Sequence, residues 1–399
     1  MDNRREITTK IMEAATESIV MGDVAEDRDA MSIIEQEAFK YKNMLKVDDL
    51  IWVVDRVYGK LRGQLGPISY LLEDNEISEI MVNGYDRIFV ERNGRIERVK
   101  DSFDSWEELE QVIRRIAASV RKEINEMSPI LDARLKDGSR VNAILKNVAL
   151  DGPSLTIRKF RHKKITLEEM VERGGLTEEA KETLRKFVIS GYNIFVSGGT
   201  STGKTTFLNA LSDFIPEGER VVTIEDSAEL KMEGIKNLVR LECRNANVLK
   251  QGAITMEMLI RTSLRMRPDR IVVGEVRGRE VADMLQALNT GHSGMSTGHG
   301  NSIRGMLRRL EAMYISGRDM PLDAVRAQIV EGVDVMIQLA RLEDGSRRVL
   351  EICEVNGFRD GEYVINNLYA VDSNLNLVKR HSPVNTRKMM LSGVLNEEL

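Results

Sequence analysis

The 399-residue sequence contains little cysteine and little proline, and it has no long apolar run. Its two cysteines, Cys243 and Cys353, cannot build a disulfide framework or a four-cysteine zinc site. Only 7 residues are proline, while 42% are hydrophobic and 30% are charged, which excludes a mainly disordered or fibrous chain. No apolar stretch approaches the roughly 18–20 residues of a membrane span, so we do not expect an integral membrane protein.

Residues 1–18 have no apolar core of the kind that a secretory signal contains. With no export signal, we expect a cytoplasmic protein. The formal net charge of −5 disfavours an extended nucleic-acid-binding surface, although a local basic groove stays open. A chain of this length is expected to hold about two to three domains.

Three regions differ in their hydrophobic pattern. Residues 1–63 are expected to be helical, as a bundle or a docking arm, because apolar residues between Leu50 and Leu61 recur on one helix face. Residues 64–161 alternate around Asn-Gly and Asp-Gly dipeptides, which predicts a small α+β domain. In residues 162–399, strand and helix patterns alternate, which predicts an α/β domain with a mostly parallel sheet covered on both faces.

A basic segment, residues 158–164, lies where the second region meets the third. It is either a solvated linker or a contact for an anion, such as phosphate or an acidic partner surface. The sequence does not decide between these two interpretations.

The strongest motif is a phosphate-binding loop, because residues 198–205 match G-x-x-x-x-G-K-[ST] without a departure. Glycines allow the backbone N–H groups to form an anion nest, and the following helix adds its positive dipole. Lys204 is expected to neutralise the β- and γ-phosphate oxygens, and the Thr205 hydroxyl to ligate Mg²⁺. The residues predicted to bind nucleotide are Gly198, Gly199, Thr200, Ser201, Thr202, Gly203, Lys204, Thr205 and Thr206.

Acidic residues follow two further predicted strands: Glu275 ends one, and Glu225 and Asp226 end another, with Glu229 four residues after Glu225. The carboxyl ends of parallel strands meet in the crevice where such folds bind ligands. Taken alone, either cluster is compatible with a solvated strand end. Gly274 stands where an Asp usually holds the metal, so Glu275 is expected to serve both the metal and the attacking water, or to share this task with the other acids.

These motifs, in this order, resemble the type II/type IV secretion ATPase superfamily, and most closely the CpaF-type motors of tight-adherence (Tad, Flp) pilus systems. Residues 222–230 (VTIEDSAEL) are similar to the family's Asp box, and residues 264–278 (LRMRPDRIVVGEVRG) to its atypical Walker B motif. Residues 287–302 (ALNTGHSGMSTGHGNS) are similar to its His box. Residues 131–145 and 149–160 resemble the arginine-bearing end of its amino-terminal domain.

The resemblance implies a fold and an assembly. The fold is a RecA-like P-loop core with a mostly parallel sheet, preceded by a small α+β (PAS-like) domain and an N-terminal helical region. The implied activity is Mg²⁺-dependent hydrolysis of ATP by a homo-hexamer. In the family, this motor works at the cytoplasmic face of the membrane on integral inner-membrane platform proteins that handle pilin.

The resemblance also implies roles for the acidic residues and for one histidine. Glu275 is the catalytic glutamate of the Walker B motif. Glu225, Asp226 and Glu229 are the Asp-box acids that help to hold Mg²⁺ and water. His299 senses the γ-phosphate.

Arginines from two regions complete the site that the resemblance implies. Arg134, Arg140 and Arg158 are laid across the nucleotide by the amino-terminal domain. Arg265 or Arg267 acts at the interface between subunits.

Two features depart from the family pattern. The zinc-binding CxxC pairs of many type II members are absent, which argues against that branch, and the first ~60 residues match no family motif. Two other functions stay open: a P-loop translocase acting on nucleic acid, and a scaffold that binds nucleotide without catalysis. The acidic charge balance disfavours the translocase, so no nucleic-acid partner is expected.

Overall fold

The computed structural model describes residues 2–21, 27–63, 65–92, 94–160, 165–244, 246 and 251–394. The chain forms two compact units, Met1–His162 and Lys163–Leu399. The helical region and the α+β region, predicted as separate domains, belong together to the first unit. Of the basic segment, residues 161–164 lie outside the described residues.

The first unit combines helices with a six-stranded sheet. Its helices are α1 (Asp2–Met21), α2 (Asp27–Phe39), α3 (Val47–Leu61), α4 (Tyr70–Glu73) and α5 (Trp106–Ser119), with a 3₁₀ turn at Gly66–Ile68. Its strands are β1 (Ile77–Asn83), β2 (Ile88–Arg92), β3 (Arg95–Arg98), β4 (Ile130–Arg134), β5 (Arg140–Ile144) and β6 (Ser154–Arg158).

Helices α1, α2 and α3 pack around a small core of their own, which includes Ile11, Ile34 and Val57. The buried Arg56 of α3 ties this bundle to the α+β part. Its Nη1 donates to the carbonyl oxygen of Ser102 at 2.9 Å, and its Nη2 donates to Asp104 Oδ1 at 2.6 Å. The first helices are therefore a bundle fixed to its own unit.

The six-stranded sheet is antiparallel, in the order β3-β2-β1-β6-β5-β4. Helix α5 shares a core with one face of this sheet, since its apolar side chains cluster with those of the strands. Helix α5 begins with a side-chain cap, because Ser105 Oγ accepts the Glu108 N–H at 3.3 Å.

The second unit contains the elements that hold the candidate site. Its helices are α6 (Leu167–Glu172), α7 (Glu178–Ile189), α8 (Lys204–Leu211), α9 (Met256–Ser263), α10 (Glu280–Asn289), α11 (Ile303–Gly317), α12 (Leu322–Gly332) and α13 (Arg387–Ser392), with a 3₁₀ turn at Ser212–Phe214. Its strands are β7 (Ile194–Gly198), β8 (Arg220–Glu225), β9 (Asn237–Glu242), β10 (Arg270–Val276), β11 (Ser293–His299), β12 (Val335–Arg341), β13 (Arg347–Arg359), β14 (Glu362–Val371) and β15 (Leu377–Lys379).

These nine strands form one sheet in the order β15-β14-β13-β12-β7-β11-β10-β8-β9. The six strands from β12 to β9 are parallel, and β13, β14 and β15 continue the sheet antiparallel. Both faces of the parallel part are buried: Val272 packs in one apolar core, and Ile271 and Val273 in the other. The predicted mostly parallel sheet, covered on both sides, is confirmed.

None of the helices in the described part of the chain combines the length and the apolar character that crossing a bilayer requires.

Candidate active site

The phosphate loop connects β7 to α8 near the middle of the parallel strands, where β7 lies between β11 and β12. Ser201 and Gly203 adopt left-handed backbone conformations, with φ of 59° and 91°. A Cβ atom at Gly203 would lie 3.1 Å from Arg347 Cδ, so glycine relieves both strain and crowding. Helix α8 starts without a side-chain cap, which leaves its first N–H groups to an anion.

Lys204, the first residue of α8, is folded back onto the loop and is only 8% exposed. Its Nζ donates to the carbonyl oxygens of Gly198 at 3.1 Å and Gly199 at 2.8 Å. The same Nζ lies 3.3 Å from Nδ1 of His299, at the end of β11. Burial lowers the pKa of the Lys204 ammonium, and the Glu275 carboxylate opposes this shift. The lysine thus occupies the centre of the loop that would surround a phosphate group.

The other loop residues flank this lysine. Thr202 Oγ1 donates to the carbonyl oxygen of Gly199 at 3.0 Å, which closes the loop on itself. Thr200 and Ser201 form its turn, and Thr205 and Thr206 belong to the first turn of α8. The structure therefore places the predicted nucleotide-binding residues around one helix start.

Glu275 on β10 is held between two basic side chains. His299 Nε2 lies 2.6 Å from Glu275 Oε1, an ion-pair distance without hydrogen-bond alignment. Arg277 donates to Glu275 Oε2 through Nε at 3.1 Å and Nη2 at 2.7 Å. Burial lowers the pKa of the His299 imidazole, and the Glu275 carboxylate opposes that change. The hydrogen bonds to Glu275 raise the pKa of Arg277.

These contacts form a row across neighbouring strands, which we call the polar chain: Asp226, Arg277, Glu275, His299 and Lys204. Asp226 follows β8, and its Oδ2 lies 4.0 Å from Nη1 of Arg277. The strand order β8-β10-β11-β7 brings the five residues together, although they are far apart in sequence. The geometry thus links Glu275 and His299 to Lys204 of the phosphate loop, and it links Asp226 to Glu275 only through Arg277; the roles of these residues stay predictions.

Glu225, at the end of β8, is 3% exposed and turns inward behind the polar chain. Its Oε1 accepts the N–H groups of Glu229 at 2.7 Å and Leu230 at 2.9 Å. Burial raises the pKa of the Glu225 carboxyl, and these backbone hydrogen bonds oppose the shift. Glu225 thereby shapes the turn that carries Asp226 and Glu229.

The position of Glu225 explains why residue 274 is a glycine. A Cβ atom at position 274 would lie 2.9 Å from Glu225 Cγ, closer than real Cβ contacts allow. The residue before Glu275 is therefore glycine for a steric reason, because Glu225 occupies the adjacent space. The inward position of the Glu225 carboxylate therefore requires that residue 274 has no side chain.

The described residues contain no group of three or more His, Cys, Asp or Glu side chains that could hold a metal ion by themselves, so a cation at this edge would also need phosphate oxygens. The Oε2 atom of Glu225 is buried and has no hydrogen-bond partner among the described residues, and Oε1 of Glu275 is buried beside His299. Asp226 is exposed next to them. Carboxylate oxygens without donors suit Mg²⁺, which in nucleotide sites takes about one or two carboxylates together with phosphate oxygens. Thr205, Glu275 and Asp226 stay the residues predicted to hold Mg²⁺.

Sequence reasoning missed Arg277 and Arg347. Arg277 lies two positions after Glu275, and alternate residues of an extended strand point the same way, so this spacing was the available signal. Arg347 begins β13, and its Nε donates to the carbonyl oxygen of Ser201 at 3.1 Å. No local pattern marks Arg347, since only the return of the chain through β12 and β13 brings it to the loop.

The three arginines predicted to reach nucleotide belong to the first unit, where strand register aligns them. Arg134 pairs with Arg140 across β4 and β5, and Arg140 pairs with Arg158 across β5 and β6. Directly paired residues present their side chains on the same face, so the three form a basic row. Glu79 of β1 continues this row beyond Arg158.

Arg265 and Arg267 lie in the exposed segment between α9 and β10, and Arg267 has a left-handed φ of 54°. Their predicted role at a subunit interface stays a prediction.

Comparison with known proteins decides the family. The family model for Type II/IV secretion system proteins matches residues 62–384. The chain belongs to this family. The probable conjugal transfer protein TrbB of Sinorhizobium fredii is 35% identical over 318 residues, which cover 78% of this chain and 93% of that protein. The predicted resemblance to the type II/IV secretion superfamily is confirmed at this level.

Other similarities extend to archaea and to a solved structure. An uncharacterized protein of Methanocaldococcus jannaschii is 40% identical over 241 residues, or 58% of this chain. That match spans only 33% of the archaeal protein, so this chain corresponds to about a third of its length. The Legionella pneumophila ATPase DotB matches with a TM-score of 0.51 and 23% identity, covering 70% of this chain and 77% of that one. The likeness to DotB shows the fold, and the predicted RecA-like core is confirmed.

Proposed function

We propose that this secretion-family protein is a motor that hydrolyses ATP to ADP and phosphate with Mg²⁺. One observation carries the proposal: Lys204 of a phosphate loop that starts a helix is one end of the polar chain, which runs through Glu275 to Asp226. Hydrolysis of a nucleotide requires a site that binds the triphosphate and a nearby carboxylate that orients the attacking water.

Lys204 and the start of α8 receive the phosphates. The Lys204 ammonium donates to two carbonyl oxygens of its own loop, and phosphate oxygens would replace these acceptors. Mg²⁺, when bound, neutralises charge on the phosphate oxygens. Glu275 orients the water that attacks the γ-phosphorus in line, and His299, between Lys204 and Glu275, registers whether that phosphate is present.

The basic row supports a contribution of the first unit to the same reaction. The three guanidinium groups stand on one face at paired register positions, and guanidinium groups bind phosphate oxygens through charge-assisted hydrogen bonds. We propose that Arg134, Arg140 and Arg158 contact the nucleotide phosphates. Loss of the γ-phosphate then removes a partner of the row, which couples hydrolysis to movement of the unit that carries it.

We further propose that the motor is a homo-hexamer at the cytoplasmic face of the inner membrane, where it drives platform proteins of a Tad/Flp-type pilus. Family membership supports a secretion role, and TrbB is by name a conjugal transfer protein. The similarity of the Asp box, the Walker B motif and the His box to those of CpaF-type motors supports the assignment to a pilus system.

Replacement of Lys204 tests the activity. In Lys204→Ala, release of phosphate from Mg-ATP should fall by at least about 100-fold, because the γ-phosphate loses its buried cation. Lys236, which forms an exposed pair with Glu217, provides the matched control, and Lys236→Ala should hydrolyse ATP like the unmodified protein. Undiminished phosphate release by Lys204→Ala, with both variants folded, would refute the proposal.

A further inference from the structure

Arg277 donates two hydrogen bonds to the carboxylate of Glu275. Its Nε and Nη2 both donate to Oε2 of that carboxylate, at 3.1 and 2.7 Å. Its remaining terminal nitrogen, Nη1, lies 4.0 Å from Asp226. Arg277 thus links the carboxylates that end two neighbouring strands, β10 and β8, with the planar fork that only arginine provides.

The contacts of Glu275 leave no acceptor for an attacking water. A carboxylate oxygen has two lone pairs, and those of Oε2 are used by the two donors of Arg277. Oε1 is buried against His299 and out of reach of solvent. Glu275 must therefore give up a contact before it orients water.

Of the two residues that contact Glu275, Arg277 is less constrained than His299. Its side chain is 61% exposed, whereas that of His299 is 34% exposed. Arg277 also lies directly after the end of β10 and is followed by Gly278, while His299 is held between Glu275 and Lys204. An exposed guanidinium at a strand end can change partner at little cost.

We propose that Arg277 is a positioning residue of the motor: it holds Oε2 of Glu275 with two donors and gives up one of these hydrogen bonds when Mg-ATP binds, so that one lone pair of Oε2 can accept the attacking water. This inference rests on the proposed ATPase function and adds a residue that controls its catalytic glutamate. Arg277 acts through Glu275, so its loss should impair the chemical step more than the binding of substrate.

The first measurement separates kcat from KM. In Arg277→Gln, kcat for ATP hydrolysis should fall at least about 10-fold, with KM within about threefold, because a carboxylate displaced by about 1 Å orients water poorly. Arg277→Lys keeps the charge without the fork and should recover part of kcat; it also keeps the test available if the Gln variant does not fold. Arg279→Gln, two residues away on a pair with Glu257, should leave both parameters unchanged.

A double-mutant cycle tests whether Arg277 acts through Glu275. In single-turnover hydrolysis with protein in excess, Arg277→Gln should cost at least about 10-fold in the Glu275 background and less than about threefold in Glu275→Gln. Equal losses of hydrolysis rate in both backgrounds would show that Arg277 acts directly on the substrate. An unchanged kcat would show that Arg277 and Glu275 form only a surface ion pair. Either result overturns the inference. If the unmodified protein releases no phosphate at all, the proposed function itself fails.

Discussion

Gly274 illustrates how a missing side chain shapes the candidate site. Sequence reasoning treats this glycine as an absent metal ligand. In the structure it makes room for Glu225, whose carboxylate accepts two backbone N–H groups of the turn that carries Asp226 and Glu229. The absence of a side chain at Gly274 on β10 thus allows the Glu225 side chain of β8 to be buried between the two strand ends.

Adding one methyl group at this position should disturb both acids. Gly274→Ala should lower the free energy of unfolding by about 1–3 kcal/mol, because the new Cβ overlaps Glu225. Phosphate release should fall as well, since Glu275 is the next residue. Denaturant unfolding and a phosphate-release assay measure the two effects.

The matched control for this change is Gly234→Ala, where a Cβ would meet no atom within 4 Å. That variant should unfold and hydrolyse ATP like the unmodified protein. A Gly274→Ala variant as stable as Gly234→Ala would contradict the steric explanation.

At the scale of elements, the helical bundle is held to the α+β part by hydrogen bonds and ion pairs of α3. Arg56 is 5% exposed and bonds to two acceptors in the segment before α5. Lys60, one turn later on α3, pairs with Asp104 and with Glu108. Helices that match no family motif are in this way part of the architecture of the first unit.

Loss of the Arg56 side chain should loosen this bundle. In Arg56→Ala, the free energy of unfolding of the first unit should fall by about 1.5–3 kcal/mol, since the hydrogen bonds of a buried cation are lost. Hydrogen exchange resolved by peptide should show faster exchange in α1, α2 and α3.

Lys10→Ala serves as the control here, because it removes only an exposed pair with Glu6 on α1. This variant should exchange like the unmodified protein. If Arg56→Ala exchanges no faster than Lys10→Ala, the contacts of Arg56 do not hold the bundle.

At the scale of the whole molecule, the phosphate loop and the basic row lie in different compact units. A nucleotide that contacts both would join them, and in a ring it would also join neighbouring copies. Because a ligand stabilises the state that binds it, nucleotide should then favour the assembled form.

Solution mass provides the measurement. With magnesium and a non-hydrolysable ATP analogue, light scattering should give six times the 45.1-kDa mass of the chain. Lys204→Ala should not respond to the analogue, because it lacks the cation that holds the phosphates. A mass that stays at one chain under both conditions would contradict the hexamer.

Much of this architecture was predictable from local patterns. The apolar runs before the phosphate loop and before Glu275 are strands β7 and β10, and the helix expected after the loop is α8. Hydrophobic period, turn dipeptides and the glycine-rich motif depend on residues close in sequence, so a linear pattern contains them. The acids at the strand ends could be named for the same reason.

The contacts of the polar chain could not be predicted in this way. Arg277, Glu275, His299 and Lys204 meet because β11 pairs between β10 and β7, and such pairing joins segments far apart in the chain. The fit of Glu225 against Gly274 is likewise a contact between two strands. Local sequence specifies which chemical groups are present, and long-range packing settles which of them touch.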